Sequence, residues 1–222
     1  MADVWHITLL TVGLAAAATA LMLPPGLLLA WALARGRFRG RVLLETFVSL
    51  PLVMPPVATG LILLMLLAPR GRFGGFLVGI GIEVVFTWKA VVIAMAVMGL
   101  PLLVRTARAG LEQVDQRYEQ VASTLGARPL RVFVTVTLPL ALPSVAAAAV
   151  LCFARAIGEF GATMMIAGSI PGSTRTLAVA IYSFAETGRD GEAAQLVLVS
   201  GAIAFAALAL SNVITSRAGL RA

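Results

Sequence analysis

The feature that most constrains the fold of this chain is a series of apolar runs, each long enough to cross a lipid bilayer. A helix needs about 20 predominantly apolar residues to span the hydrocarbon core of a bilayer. The runs predict an all-α integral membrane protein with about five transmembrane helices in a single membrane domain over residues 7–216. The five predicted spans lie at 7–34, 42–68 and 84–104, in a stretch that begins near Pro139, and at 194–211.

The composition supports the same class of protein. Hydrophobic residues make up 60% of the 222 residues and charged residues 12%, and the mean hydropathy is +0.98. A soluble domain carries about 25% charged residues, so much of this surface is expected to face lipid. The net charge of +7 does not indicate nucleic acid binding, because the charges lie between apolar runs rather than on one solvated face.

The residue inventory argues against chemistry carried out by the chain itself. The sequence has one histidine, His6, and one cysteine, Cys152, which excludes a His/Cys metal centre. An intramembrane enzyme would need a nucleophile–base pair or metal ligands. The phosphate-binding pattern G-x-x-x-x-G-K-[ST] does not occur either. We therefore expect no enzyme activity, no metal and no cofactor, and any ATP hydrolysis on a separate subunit.

Arginines predict how the chain lies in the membrane, because cytoplasmic connections carry an excess of basic residues. One set of alternate connections contains Arg35, Arg37, Arg39, Arg41, Arg105, Arg108, Arg117, Arg128, Arg131, Arg217 and Arg221. The opposite set contains only Arg70, Arg72, Arg175 and Arg189. This asymmetry predicts an external N-terminus and a cytoplasmic C-terminus, which agrees with an odd number of spans.

The connection between the third and fourth spans, residues 105–134, is predicted to be a cytoplasmic loop that contains a short helix. Asp115 is suited to cap this helix, and Glu119 suits its first turns. Gly126 stands where a left-handed glycine ends a helix, and Pro129 is suited to open the next one. The pattern predicts a helix of about ten residues, a sharp turn and a second helix that rises into the membrane.

The short helix has one apolar side, formed at helical spacing by Tyr118, Val121, Ala122 and Leu125. The small side chain of Ala122 would let another surface approach closely. Two interpretations follow from these features alone. The helix either docks a soluble partner protein at the mouth of the bundle, or packs on its own bundle or on the lipid interface.

At this point the sequence resembles the EAA motif of ABC importer permeases. That motif consists of E-A-A, three residues, a glycine, nine residues and I-x-L-P. The stretch QVASTLG, followed by VTLP, matches this spacing with Gln120, Val121, Ala122, Gly126, Val136, Leu138 and Pro139. Two departures occur: glutamine replaces the glutamate, with Glu119 one position earlier, and valine replaces the first alanine.

Two further stretches, LPLVMPPVATG and FARAIGEFGATMMIAGSIPGSTRT, resemble the molybdate-type permeases of this class. Sulfate/thiosulfate and tungstate permeases are relatives with overlapping patterns, and GEFGAT together with PGxTRT favours molybdate. The resemblance implies the ABC importer type I permease fold, in a bacterial inner membrane. The implied function is movement of a tetrahedral oxyanion into the cell.

The resemblance also implies partners. The EAA helix would couple to a homodimeric ABC ATPase subunit, two copies of the permease would form the pathway, and an external binding protein would deliver the oxyanion. The residues implied in coupling are Glu119, Gln120, Val121, Ala122, Leu125, Gly126, Leu138 and Pro139.

Arg155 and Glu159 are an ionisable pair deep in an apolar segment, four residues apart. Charges at such a depth cost free energy unless they are paired or hydrated, and they often mark a pathway. The spacing favours mutual neutralisation on one helix face. Arg155, Glu159 and the nearby Thr163 are therefore candidates for the translocation pathway. The alternatives are a pair that fixes helix packing and a pair near the outer membrane surface.

Prolines in the second span are candidates for kinks. Pro51, Pro55 and Pro56 each remove a helix hydrogen bond. A kink there would provide the bend that a gate requires, or would serve packing alone.

The alternative class of function is a secondary transporter driven by an ion gradient. Proteins of that class usually have more spans, or inverted repeats around charges at the membrane midplane. The sequence shows no inverted repeat in its five predicted spans, so the ABC permease interpretation is preferred.

Overall fold

The computed structural model describes residues 2–36 and 38–219, and the regular structure of these residues is helical. Arg37 and Arg221, which contribute to the predicted orientation, lie outside the described residues, as do the side chains of Arg72 and Arg217. In chain order the elements are α1 (Ala2–Arg35), α2 (Arg41–Val53), α3 (Pro56–Leu67), α4 (Arg72–Gly79), α5 (Trp88–Gln113), α6 (Gln116–Thr124), α7 (Pro129–Val132), a π-helix (Phe133–Thr137), α8 (Leu138–Ile157), α9 (Gly161–Ala167), α10 (Leu177–Glu186) and α11 (Asp190–Gly219).

Within residues 2–36 and 38–219, four helical stretches are long and apolar enough to cross a membrane. They are α1, α5, α11 and the continuous helix Pro129–Ile157, which consists of α7, the π-helix and α8. Helices α2 and α3 pass the same test together, although their axes are bent by 111°. The predicted number of five spans is reached when this bent pair is counted as one span. Helix α10 is apolar but has only 10 residues.

The bend between α2 and α3 follows from the two prolines at the junction. Met54 adopts extended backbone angles (φ −68°, ψ 145°), as expected for a residue that precedes a proline. Pro56 then occupies the first turn of α3, where its missing N–H leaves no hydrogen bond unmade. The kink predicted at Pro55 and Pro56 is therefore confirmed. Pro51, in contrast, lies inside α2, which continues to Val53.

The predicted span boundaries are corrected at the end of the bundle that carries α6, here called the α6 end. Helix α5 continues to Gln113, so the connection to the next span is shorter than the predicted 105–134 segment. Ion pairs of Arg108 stabilise the added turns of α5. Its Nε lies 2.7 Å from Oε1 of Glu112 on the same helix, and its Nη1 lies 2.8 Å from Oε1 of Glu45 on α2. Such pairs support the solvent-exposed turns of a helix beyond its apolar part.

The fourth span also begins earlier than predicted, at Pro129 rather than near Pro139. The intervening turn is a π-helix, in which the backbone N–H of Leu138 donates to the carbonyl of Phe133, five residues earlier. This wide turn precedes Pro139, whose ring crowds the carbonyl four residues before it. Widened turns of this kind occur within α-helices and concentrate at functional sites.

The centre of the bundle consists of α1, α5 and α8, and α11 lies at its edge. In the most apolar part of α5, 67% of the residues are buried, compared with 11% in α11. Small side chains permit the close packing, since Ala15, Ala18, Ala94 and Ala148 are each fully buried. This arrangement places the ends of α1, α5 and α8 side by side at the α6 end.

Candidate functional site

Helix α6 forms where the sequence predicts a short helix. The Oδ1 atom of Asp115 accepts a hydrogen bond from the backbone N–H of Arg117 at 2.9 Å, which satisfies one of the free donors at the helix start. The helix has nine residues, Gln116–Thr124. The predicted N-cap at Asp115 and the predicted length are confirmed.

The turn after α6 is a Schellman motif built on Gly126. Gly126 has a φ of 84°, a region that non-glycine residues enter only with strain. Its N–H donates to the carbonyl of Ser123 at 3.0 Å, and the N–H of Ala127 donates to that of Ala122 at 3.1 Å. This is the hydrogen-bond pattern of a helix that ends in a left-handed residue. The predicted left-handed glycine is confirmed.

The apolar side of α6 points away from the bundle. Tyr118 is 60% exposed, Val121 59% and Leu125 83%, whereas Ala122 is half-buried. Helix α6 buries none of its residues. The interpretation in which this side packs on the chain's own bundle is therefore wrong, and the apolar side is free to contact another surface.

Glu119 lies on the opposite side of α6 and faces the bundle. Its two carboxylate oxygens each accept a hydrogen bond from Nε of Arg35 at 3.1 Å. The hydroxyl of Thr137 donates to the same carboxylate at 2.8 Å. Arg35 and Thr137 could not be predicted as partners of Glu119, because they are 84 and 18 residues away and no local sequence pattern links them.

The other residues of the EAA-like stretch divide between solvent and bundle. Gln120 is exposed on α6, and Pro139 is exposed in the first turn of α8. Leu138, at the start of α8, is half-buried and packs against the hydrophobic core. The stretch therefore joins an exposed helix to a span through a turn of fixed geometry.

Arg155 and Glu159 form an ion pair, with Nη2 of Arg155 2.8 Å from Oε2 of Glu159. The predicted placement of both residues on one helix is wrong, because α8 ends at Ile157 and Glu159 lies in the segment that follows. The side chain of Glu159 is only 2% exposed, and that of Arg155 is 34% exposed. Oε1 of Glu159 also accepts the backbone N–H of Ala162 at 2.9 Å, so Glu159 satisfies a donor at the start of α9.

The break between α8 and α9 packs against the break between α2 and α3. A Cβ atom added to Gly161 would lie 2.8 Å from Cβ of Pro56, and one added to Gly60 would lie 2.7 Å from Cα of Ala162. Only glycine permits so close an approach of the two backbones. The start of α9 therefore packs closely against α3, and Glu159, between α8 and α9, is buried next to this contact.

Unpaired hydroxyls lie on both sides of this contact. Thr163 on α9 is fully buried and Thr59 on α3 is 6% exposed. The Oγ1 atoms of both residues have no hydrogen-bond partner in the described part of the structure. Glu159, which bonds to the N–H of Ala162 on α9 and pairs with Arg155 on α8, adds a charged group beside these hydroxyls.

The end of the bundle opposite α6 carries a second group of polar contacts. Nε of Arg175 donates to the hydroxyl of Ser169 at 3.0 Å. Arg189 pairs with Glu192, and the hydrogen bond that its guanidinium donates to that carboxylate raises the pKa of Arg189. A cavity of about 530 Å³ at this end is lined in part by Asp3, Arg175 and Arg189. Among the described residues, no group of three or more His, Cys, Asp or Glu side chains is arranged to hold a metal ion.

The fold is that of the membrane subunit of a type I ABC importer. A bacterial ABC transporter that imports the acidic polysaccharide alginate matches with a TM-score of 0.72 and 16% identity, over 96% of this chain and 78% of that one. The MetNI methionine ABC transporter, in an inward-facing conformation, matches with a TM-score of 0.64 and 18% identity, over 96% and 94%. At such low identities the likeness shows the fold alone.

Residues 22–219 match the family described as binding-protein-dependent transport system inner membrane component. The chain therefore belongs to this family and is a multi-pass membrane protein.

Its relatives include molybdenum and sulfate permeases. It is 44% identical over 210 residues to the molybdenum transport system permease ModB of Escherichia coli K12, and the alignment covers 94% of this chain and 92% of ModB. It is 41% identical over 157 residues to the sulfate permease CysT of Salmonella typhimurium, covering 71% and 57%.

We predict that Arg155→Ala destabilises the protein by about 3–5 kcal/mol, because it leaves the buried Glu159 carboxylate without a counter-charge. The double variant Arg155→Ala, Glu159→Gln should recover most of this loss. Glutamine removes the charge but keeps an oxygen that can accept the N–H of Ala162. The measurement is thermal unfolding of the purified protein in detergent.

The control is Arg189→Ala, which breaks an exposed ion pair of similar spacing, and we expect it to change the unfolding temperature little. An Arg155→Ala protein as stable as the wild type would contradict the prediction. So would a double variant no more stable than Arg155→Ala alone.

Proposed function

We propose that this chain is the permease subunit of an ATP-binding-cassette importer that moves molybdate into the cell. The observation that carries the proposal is the extent of the match to ModB, which includes 94% of this chain and 92% of the relative. The match to the sulfate permease CysT includes only 57% of that protein. Sulfate is therefore the second candidate substrate, and it is tested beside molybdate below.

The coupling role is proposed for the exposed side of α6. Tyr118, Val121 and Leu125 offer an apolar surface outside the spans, and burial of such a surface against a partner is favourable. The Schellman turn at Gly126 fixes the angle between α6 and the helix that starts at Pro129. A homodimeric ABC ATPase subunit is the proposed partner, because the sequence itself contains no nucleotide-binding pattern.

The orientation is proposed from the arginines. The α6 end has Arg35, Arg105, Arg108 and Arg117 among its basic residues, and basic residues accumulate on the cytoplasmic side. The α6 end is therefore cytoplasmic in this proposal, where an ATPase subunit has access to ATP. The opposite end, with Arg175 and Arg189, faces the external binding protein.

The pathway is proposed to lie at the polar contact between α3 and α9. Arg155 supplies a positive charge that attracts an oxyanion, and its pairing with Glu159 limits how tightly the oxyanion is held. The buried Oγ1 of Thr163 is an unused hydrogen-bonding group in the same region. The bend at Pro55 and Pro56 contacts Gly161, two residues after Glu159, so movement of that bend would displace the partner of Arg155.

A second copy of the chain is proposed to complete the pathway. The side chain of Arg155 is 34% exposed in the single chain, although it lies in an apolar segment. Contact of this charge with lipid would cost several kcal/mol. A second permease chain that covers this edge would enclose the charged residue in a protein-lined passage.

The proposal is tested by purifying the chain with its ABC ATPase subunit and measuring ATP hydrolysis in lipid with the binding protein. Molybdate, tungstate and sulfate are added separately. We expect the ATPase subunit to co-purify and molybdate to stimulate hydrolysis more than sulfate. Stimulation by sulfate alone would transfer the function to the second candidate, and no associated ATPase would contradict the proposed class.

Val121→Asp tests the docking surface in the same assay. A charge in the middle of the apolar side of α6 should prevent co-purification of the ATPase subunit, because the carboxylate would be desolvated on contact. The matched control is Gln116→Asp, which adds the same charge in the first turn of α6, outside the apolar side. Equal co-purification with both variants would argue against docking through Val121.

The double variant Arg155→Ala, Glu159→Gln tests the pathway. Because it removes both members of the pair, we expect stability near that of the wild type but slower molybdate uptake by the assembled complex. Uptake at the wild-type rate would mean that the pair serves packing alone.

A further inference from the structure

We propose that Arg35, Glu119 and Thr137 form a transmission clamp, which carries movement of α6 into the spans α1 and Pro129–Ile157. This inference rests on the proposed function, since it assigns to these residues the mechanical link between the docking helix and the pathway. None of the three acts on the solute. They are positioning residues.

The centre of the clamp is the carboxylate of Glu119. Arg35 is the last residue of α1, and its Nε lies 3.1 Å from both oxygens of that carboxylate. Nη2 of Arg35 also donates to the carbonyl of Val114 at 2.9 Å, at the junction between α5 and α6. One guanidinium group therefore ties the end of α1 both to the end of α5 and to α6 itself. The planar, multiply bonded geometry of arginine fixes direction as well as distance.

Thr137 supplies the second attachment. It is the last residue of the π-helix and is only 1% exposed, and its hydroxyl donates to Oε1 of Glu119 at 2.8 Å. The side chains of Arg35 and Glu119 are 14% and 18% exposed. A charge-assisted pair shielded to this extent is stronger than a pair on the open surface.

An aromatic contact lies one helical turn behind the clamp. Trp31 of α1 and Phe133 of the π-helix have ring centroids 4.9 Å apart. Trp31 precedes Arg35 by four residues and Phe133 precedes Thr137 by four, so each pair occupies one face of its helix. The aromatic pair holds α1 against the π-helix one turn away from the level where Glu119 bridges them.

The clamp matters because little else holds α6 in place. Helix α6 buries none of its residues, so no apolar core fixes it. In the part of the chain that the structure describes, the side-chain hydrogen bonds that join α6 to other helices are those of Glu119. Without them, a push on α6 would turn it about its short connections to α5 and Pro129, and the spans would move less.

The test compares Arg35→Gln with the wild type in complexes with the ATPase subunit and the binding protein, reconstituted in liposomes. Molybdate uptake and ATP hydrolysis are measured on the same samples. We expect assembly and ATP hydrolysis to persist while uptake per ATP hydrolysed falls about tenfold, in line with the loss of a hydrogen-bonded charge pair. Thr137→Val should lower the ratio less, because it removes one neutral donor.

The matched control is Arg39→Gln, which removes the same charge four residues further on. Arg39 is exposed in the turn before α2, and its side chain makes no hydrogen bond within the described residues. We expect its uptake per ATP to equal that of the wild type. This comparison separates loss of the clamp from loss of a positive charge at the α6 end.

An unchanged ratio in Arg35→Gln would overturn the clamp. Uptake and hydrolysis that fall together, in proportion to the amount of complex, would also overturn it, because they indicate a role in folding alone. If Arg35→Gln does not fold, Arg35→Lys and Glu119→Gln give the same test with smaller changes. Failure of the proposed function is a different result, in which the wild-type complex itself takes up no molybdate.

Discussion

The constraint on which the structure depends is that every backbone N–H and C=O inside a bilayer must find a partner within the protein. Continuous helices meet it along α1, α5, Pro129–Ile157 and α11. The helices are interrupted before Pro56 and before Gly161, and Gly161 packs directly against Pro56. The polar groups near this contact, including Glu159 and its bond to the N–H of Ala162, follow from the same need.

Two carboxylates organise the polar parts of the bundle in the same manner. Glu119 and Glu159 each pair with an arginine and each accept one further hydrogen bond, from Thr137 and from the backbone of Ala162 respectively. Both side chains are shielded from solvent. Glu119 therefore holds the side of α6 against α1, and Glu159 holds the start of α9 close to α8. In the proposed mechanism, the Glu119 site transmits movement and the Glu159 site lies at the pathway that this movement opens.

Most of the fold was accessible from the sequence, because length, hydropathy and proline position act locally. The runs of apolar residues predict five spans, the number reached when α2 and α3 are counted as one. The structure also has the predicted local features, which are the cap at Asp115, the left-handed Gly126 and the bend at Pro55 and Pro56. The ends of helices were harder to predict from the sequence. The residues after Val104 continue α5 because ion pairs with α2 stabilise them, and these pairs depend on tertiary contact. The same reason explains why Arg35 was not linked to Glu119. Glu159 was placed on α8 from spacing alone, and only the packing of α9 against α3 shows why the helix stops before it.

Measurement of transport itself would show whether this chain forms part of an ATP-driven pathway for molybdate. Liposomes containing the chain with its ATPase subunit would be supplied with the binding protein and labelled molybdate, and accumulation would be followed with ATP present or absent and with excess sulfate as competitor. We expect accumulation that requires ATP hydrolysis and that sulfate does not abolish. Accumulation that follows an imposed ion gradient without ATP, or that occurs with sulfate and not with molybdate, would contradict it.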